Sequence, residues 1–131
     1  MDLVLRKFVR HFTESFGEST ESFIEENGRK IFLLYIRPLI NGSGNYYIES
    51  RTRSMGKTDL IIDFHGVQYI IEMKIWHGQE YNTRGEKQLI GYLEDYGLKK
   101  GYMLSFNFNK NKTPGVQELH FKDYTIVEAV V

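Results

Sequence analysis

Cysteine is absent from this chain of 131 residues, which excludes disulfide frameworks, thiolate zinc sites and a cysteine nucleophile. No stretch approaches the roughly 18 continuous apolar residues of a membrane span, and residues 1–7 lack the apolar core of a signal peptide. Internal repeats and low-complexity linkers are also missing. Because 41% of the residues are hydrophobic and 15% are aromatic, these absences predict a single soluble, cytoplasmic domain over residues 1–131.

Net charge is lacking as well, because 17 basic and 17 acidic residues cancel. Bulk electrostatics therefore do not favour a nucleic-acid partner. The charges are unevenly placed, however: residues 14–26 are acidic, whereas Arg51, Arg53 and Lys57 lead into Asp59. Basic residues beside an acidic metal centre would suit a phosphate backbone. Scattered solvated side chains are the other interpretation, and the sequence leaves both open.

Hydrophobic periodicity predicts an α/β domain, with a mixed central sheet flanked by helices in the order helix, helix, three strands, helix, two strands. The first helix should end at Gly17. Ser19 or Thr20 could cap the second helix, which Pro38 and the turn-rich residues 41–45 should stop. The third should begin with a capping box formed by Thr83 and Glu86 and end at Gly97. The expected strands are 46–49, 58–64, 67–75, 101–108 and 124–131, with a polar turn at 109–115. The expected buried helix residues are Val4, Leu5, Phe8, Val9, Phe12, Phe16, Phe23, Ile24, Ile31, Leu34, Tyr35, Leu89, Leu93 and Tyr96.

The segments 58–64 and 67–75 are β-branched and apolar, and only His65 and Gly66 separate them. Gly accepts a positive φ freely and His tolerates it better than most residues, so these two predict a tight hairpin turn. If Phe64 pairs with Val67, Asp59 lies opposite Glu72. Lys74 then projects from the same face as Glu72. Two carboxylates and an ammonium on one face predict a site for a hard cation with a positive group beside it.

A solvated outer face carrying ordinary charges is the alternative interpretation of this hairpin. Like charges directly opposite one another destabilise a strand pair by a few tenths to about 1 kcal/mol. A solvent face is also usually polar throughout, whereas Ile61 and Ile70 share the side of Asp59 and Glu72. These two observations favour the rim of a cleft.

Further polar residues are candidates for the same cleft. Gln88 lies four residues before Tyr92 and therefore on one side of the predicted helix; we expect Gln88 to line the site and Tyr92 to be half-buried packing. Glu49, at the end of the preceding strand, is the first choice for a third acid, and Glu26 is the second. Either acid could equally be a solvated charge.

Asp59 followed on the next strand by Glu72-Met73-Lys74 resembles the PD-(D/E)XK nuclease superfamily, whose fold is restriction-endonuclease-like. Thr58 stands where the family name has Pro. The segments 46–49, 74–78, 88–93 and 101–107 are similar to the nuclease-like domain at the C-terminus of bacterial AAA-type ATPase-like proteins. The chain has no ATPase domain, so the resemblance implies an excised domain or a stand-alone relative.

By this resemblance, Asp59 and Glu72 would hold Mg²⁺ or Mn²⁺, with the Met73 carbonyl as a backbone ligand. Lys74 would orient or deprotonate the attacking water and stabilise charge on the phosphate. Hard divalent cations take oxygen ligands, lower the pKa of bound water and screen phosphate charge, so this chemistry agrees with the residues.

Three functions compete at this point. The first is a divalent-metal-dependent phosphodiesterase that cleaves nucleic acid, with DNA preferred. The second is a non-catalytic nucleic-acid-binding or regulatory module that retains the fold. The third is a protein-interaction module for an AAA-type ATPase, supported by Trp76, Tyr81 and the phenylalanines of the first helix. The intact set Asp59, Glu72 and Lys74 favours the first, and the zero net charge favours the others.

Overall fold

Nine helices and strands are visible in the computed structural model, which describes residues 1–16, 25–42, 44–49, 58–76, 78–107 and 113–131. In chain order they are α1 (Asp2–Phe16), α2 (Glu25–Ile40), β1 (Gly44–Glu49), β2 (Thr58–Phe64), β3 (Val67–Ile75), α3 (Gln79–Tyr96), β4 (Lys100–Phe106), β5 (Gly115–Phe121) and β6 (Tyr124–Val130). Within the described residues, no helix combines the length and the apolar character that a membrane span requires.

The strands form one mixed sheet in the order β1-β2-β3-β4-β6-β5. The three central strands, β3, β4 and β6, run parallel to one another, whereas the outer pairs are antiparallel. The carboxyl ends of the three central strands therefore lie at the same edge. The predicted α/β class with a mixed sheet is confirmed.

Each face of the sheet carries its own apolar core, because side chains alternate along a strand. The helices α1 and α2 cover one face, where Phe8, Phe12 and Phe32 pack on Ile62 and Met73. The single helix α3 covers the other face, and that core consists of Ile61, Ile70, Leu89, Tyr92, Leu93, Met103 and Ile126. The sheet is thus the middle layer of three.

The two N-terminal helices follow the predicted pattern only in part. The stripe of α1 is buried at Leu5, Phe8, Val9 and Phe12 as expected, but Leu34 of α2 is 70% exposed. The buried side of α2 is instead Phe32, Ile36 and Ile40, four residues apart. Spacing alone allows both stripes, and contact with the sheet selects the second. The predicted helix boundaries at Gly17, Ser19 and Thr20 lie outside the described residues, as do Phe23 and Ile24.

Pro38 and the turn-rich residues 41–45 were expected to stop the second helix. The helix does end directly before that turn, but the part of the prediction that concerns Pro38 is wrong. Pro38 lies inside α2, which continues to Ile40. Proline removes one backbone donor and crowds the preceding turn. In the last turn of a helix, little of the helix remains to be disturbed.

The predicted start of the third helix is also wrong, whereas its predicted end is confirmed. The helix begins at Gln79 with Gly78 as its N-cap and no side-chain cap bond, so Thr83 and Glu86 lie inside it rather than at a capping box. At the other end, the Gly97 N–H bonds to the Glu94 carbonyl and the Leu98 N–H to the Leu93 carbonyl. Gly97 has a φ of 68°, which completes a Schellman motif.

The strand β5 was missed, so the predicted order of two strands after the third helix is wrong: the described residues after α3 form three strands. β5 pairs with β6 alone at the sheet edge, and Gln117, Glu118 and His120 are exposed on it. An edge strand with this many polar side chains lacks the apolar alternation by which strands are recognised. The strand predicted over 101–108 ends at Phe106 as β4.

Candidate active site

The hairpin of β2 and β3 has the predicted register. His65 and Gly66 form the turn with φ values of 51° and 76°, the positive angles that a type I′ turn requires. Phe64 pairs with Val67, and Asp59 pairs with Glu72. The backbone positions of Asp59 and Glu72 are thus neighbours in one row across the sheet.

This row continues on both sides of the hairpin. On one side, Glu49 of β1 pairs with Asp59. On the other side, Glu72 pairs with Met103 of β4, which in turn pairs with Glu128 of β6. The side chains of Asp59, Glu49 and Glu26 lie outside the described residues, so their roles as metal ligands stay predictions. Met73, whose carbonyl was the expected backbone ligand, buries its side chain in the α1–α2 core.

Glu72 and Lys74 are buried beneath α3. Their exposed fractions are 2% and 0%, and they follow Ile70 on the sheet face that α3 covers. The alternative in which they belong to a solvated outer face is therefore wrong. Burying a charge is costly unless partners compensate it, so the contacts around the two groups determine what they can do.

Asn82 of α3 is one partner of Lys74. The Lys74 Nζ donates to Asn82 Oδ1 and lies 3.5 Å from the Asn82 backbone oxygen. On its other side, Asn82 Nδ2 donates to Glu86 Oε1 at 3.3 Å and to Glu128 Oε2 at 3.4 Å. Since a cation faces the oxygen of the amide and carboxylates face its nitrogen, only one orientation of this amide suits its surroundings.

Among the residues that the structure describes, buried acidic side chains between α3 and the sheet outnumber buried basic ones. The carboxyl groups of Glu72, Glu86 and Glu128 are each at most 6% exposed, and Lys74 is the ammonium among them. Burial raises the pKa of Glu86, and the neighbouring Glu128 carboxylate raises it further, whereas Lys74 and Asn82 act in the opposite direction. Bound protons or a divalent cation would reduce this excess.

The buried carboxyl groups of Glu72, Glu86 and Glu128 suit a hard cation in their chemistry, but they do not form a complete metal site. Their ligand atoms are all oxygens, as Mg²⁺ and Mn²⁺ prefer. Ser105, which pairs with Lys74 across β3 and β4, is fully buried, and its Oγ has no hydrogen-bond partner among the described residues. Such a buried orphan marks a place for water or an ion. Among these same residues, no three His, Asp or Glu side chains are gathered closely enough to hold a metal. A cation at Glu72 would therefore also need Asp59 and water.

Gln88 and Tyr92 lie on α3, beyond the residues that contact Lys74. Gln88 is half-buried. It lies two residues after Glu86, so the two side chains point about 160° apart around the helix. The catalytic role of Gln88 stays a prediction. Tyr92 was expected to be half-buried, but only 7% of it is exposed, within the α3 core.

Sequence reasoning missed Asn82, Glu86 and Glu128. The sequence carries one signal for Glu128. It interrupts the apolar run 126–131, and an acid in the middle of a buried strand is uncommon. Asn82 and Glu86 are four residues apart on the same side of α3 as Leu89 and Leu93. This spacing was not used, because Thr83 and Glu86 were interpreted as a capping box.

Comparison with known proteins gives no relative: no family model, curated protein or solved structure matches the chain. Any functional conclusion therefore depends on the buried cluster and its position in the sheet.

Proposed function

We propose that this protein is a divalent-metal-dependent phosphodiesterase that hydrolyses nucleic acid, with DNA as the preferred substrate, on a restriction-endonuclease-like core. The observation that carries the proposal is the burial of Glu72 and Lys74 side by side on β3, with Asp59 opposite Glu72 in the register. A protein rarely buries an ammonium and several carboxylates together without a use for them.

The location of the cluster supports the proposal. Lys74, Ser105 and Glu128 lie in the second halves of β3, β4 and β6, and these strands are parallel. Ligands of open α/β sheets bind at the carboxyl ends of the strands. By this rule, the substrate would bind near the edge where Lys74 lies.

Each residue has a role in the proposed reaction. Asp59 and Glu72 would hold Mg²⁺ or Mn²⁺ together with the Met73 carbonyl. The ion when bound supplies a water of lowered pKa and screens phosphate charge. Lys74 would donate hydrogen bonds to the attacking water or to a phosphate oxygen, where its charge opposes the negative charge that develops there. The hydrogen bond to Asn82 limits the positions that the ammonium can occupy.

A substrate panel tests this proposal. Single- and double-stranded DNA and RNA are incubated with the purified wild type in millimolar Mn²⁺ or Mg²⁺, with EDTA as the metal-free control. We expect metal-dependent cleavage of DNA, lost in both Asp59→Ala and Glu72→Gln. Cleavage that survives both substitutions would assign the activity to a contaminant, and no cleavage of any substrate would contradict the proposal.

A non-catalytic module serving an AAA-type ATPase, in the same chain or a separate one, is the second candidate, and two observations favour it. Lys74 is fully enclosed, as expected of a structural charge. Leu3, Leu34 and Leu39 of α1 and α2 are each at least 50% exposed, which suits a protein partner. Phe8 and Phe12 of the first helix no longer support it, because both are buried.

A further inference from the structure

Asn82 connects the two sides of the buried cluster. Its Oδ1 accepts from Lys74 Nζ, and its Nδ2 donates to Glu86 at 3.3 Å and to Glu128 at 3.4 Å. These residues come from three separate elements, α3, β3 and β6. Asn82 and Glu128 are at most 3% exposed, so bulk water does not compete for these bonds.

Through Asn82, the Glu128 side chain of β6 affects the position of the Lys74 ammonium of β3. If Glu128 and Glu86 did not accept from Nδ2, the amide could rotate and present its nitrogen to Lys74, where two donors would face each other. With the carboxylates in place, Oδ1 is held toward Lys74. The two carboxylates thus orient the amide oxygen to which the Lys74 ammonium donates.

We infer that Asn82 and Glu128 are positioning residues, which hold the Lys74 ammonium where the proposed hydrolysis needs it. The inference rests on the proposed function for its catalytic consequence, whereas the positioning itself is a property of the folded protein. Outer residues that orient a metal-site group typically change activity or metal affinity about 10–100-fold when removed.

Glu128 offers a matched pair of substitutions for the kinetic test. Glu128→Gln keeps an oxygen that accepts from Asn82 Nδ2, whereas Glu128→Met has a similar length and no such acceptor. We expect kcat to fall about 10–100-fold in Glu128→Met and in Asn82→Leu with KM little changed, and Glu128→Gln to recover most of the rate. Glu118→Met, at an exposed carboxylate of β5, is the control. A kcat in Asn82→Leu and Glu128→Met equal to that of Glu118→Met would overturn the inference.

A spectroscopic measurement tests the positioning without any activity. The ¹⁵N–¹H signal of the Lys74 ammonium is observable only while hydrogen bonding and burial slow its exchange with water. We expect the signal in the wild type, in Glu128→Gln and in Glu118→Met, and its loss in Asn82→Leu and Glu128→Met, with circular dichroism showing that each variant is folded. Persistence of the signal in folded Asn82→Leu would overturn the inference even if the protein hydrolyses nothing. Its loss, together with an inactive wild type, would support the positioning and contradict only the nuclease proposal.

Discussion

At the residue scale, the fold changes the proton equilibrium of Glu86. Burial and the Glu128 carboxylate raise its pKa above the ordinary value of 4.5. The folded protein therefore binds this proton more tightly than the unfolded chain does. Its contribution to stability is fully present below about pH 4.5 and is lost as the pH rises through the folded pKa.

Substituting Glu86 tests this sign. In metal-free buffer, Glu86→Gln keeps an acceptor for Asn82 Nδ2 and removes the titrating group. The free energy of unfolding of the variant minus that of the wild type should therefore increase from pH 4 to pH 7. Urea denaturation at a series of pH values measures this difference, with Glu94→Gln, at an exposed position of α3, as the control. A difference that stays constant or decreases over this range would contradict the buried position of Glu86 beside Glu128.

At the scale of elements, α3 positions the cluster, and its two glycines near the C-terminus make opposite predictions. Gly97 ends the helix with a φ of 68°, whereas Gly91 lies within it, and an added Cβ meets no atom within 4 Å at either position. Backbone preference alone then decides the effect. Gly97→Ala should destabilise the protein by about 1 kcal/mol or more, and Gly91→Ala should stabilise it by about 1 kcal/mol.

Thermal or urea unfolding of the two variants, measured side by side, checks this prediction. Each serves as the control for the other, because both add one methyl group to an exposed position of the same helix. Changes of the same sign would mean that α3 does not end in the Schellman motif described above.

The same elements show how far sequence reasoning reaches. The β2–β3 hairpin is local, since the His65-Gly66 turn and the alternation of two strands determine its register. The end of α3 is equally local, because Gly97 marks it. The start of α3 is not determined locally. Thr83 and Glu86 fit a capping box in sequence, but Glu86 is buried inside the helix, which begins at Gln79.

The rest of the site depends on contacts between distant parts of the chain. Glu128 lies in a correctly predicted strand, but its place in the row of Glu72 follows from the parallel pairing of β4 with β6. No periodicity within 124–131 determines that pairing. β5 escaped prediction for a related reason, since an edge strand has one neighbour and needs fewer apolar residues.

At the scale of the whole molecule, the proposed metal site would link folding to metal. A divalent ion that binds only the folded state stabilises it by mass action, by about 2.7 kcal/mol at 100 times the dissociation constant. The melting temperature of the wild type should therefore rise with millimolar Mg²⁺ or Mn²⁺. Glu72→Gln should remove most of this response, and Glu94→Gln, at an exposed position of α3, should retain it. Equal responses of the wild type and Glu72→Gln would place the bound metal elsewhere.

The rate of DNA hydrolysis in a Lys74 variant tests the catalytic assignment most directly. Lys74→Met keeps the length of the side chain, so it leaves less of a cavity than alanine would at this fully buried position. Lys7→Met, at an exposed position on α1 across the sheet, is the matched control. At saturating metal and DNA, we expect kcat of Lys74→Met to fall by ~10²-fold or more, the effect of a positioned acid–base or electrostatic group, with metal and DNA binding retained. Equal kcat values for the two folded variants would show that Lys74 is a structural counter-ion, and would contradict the account.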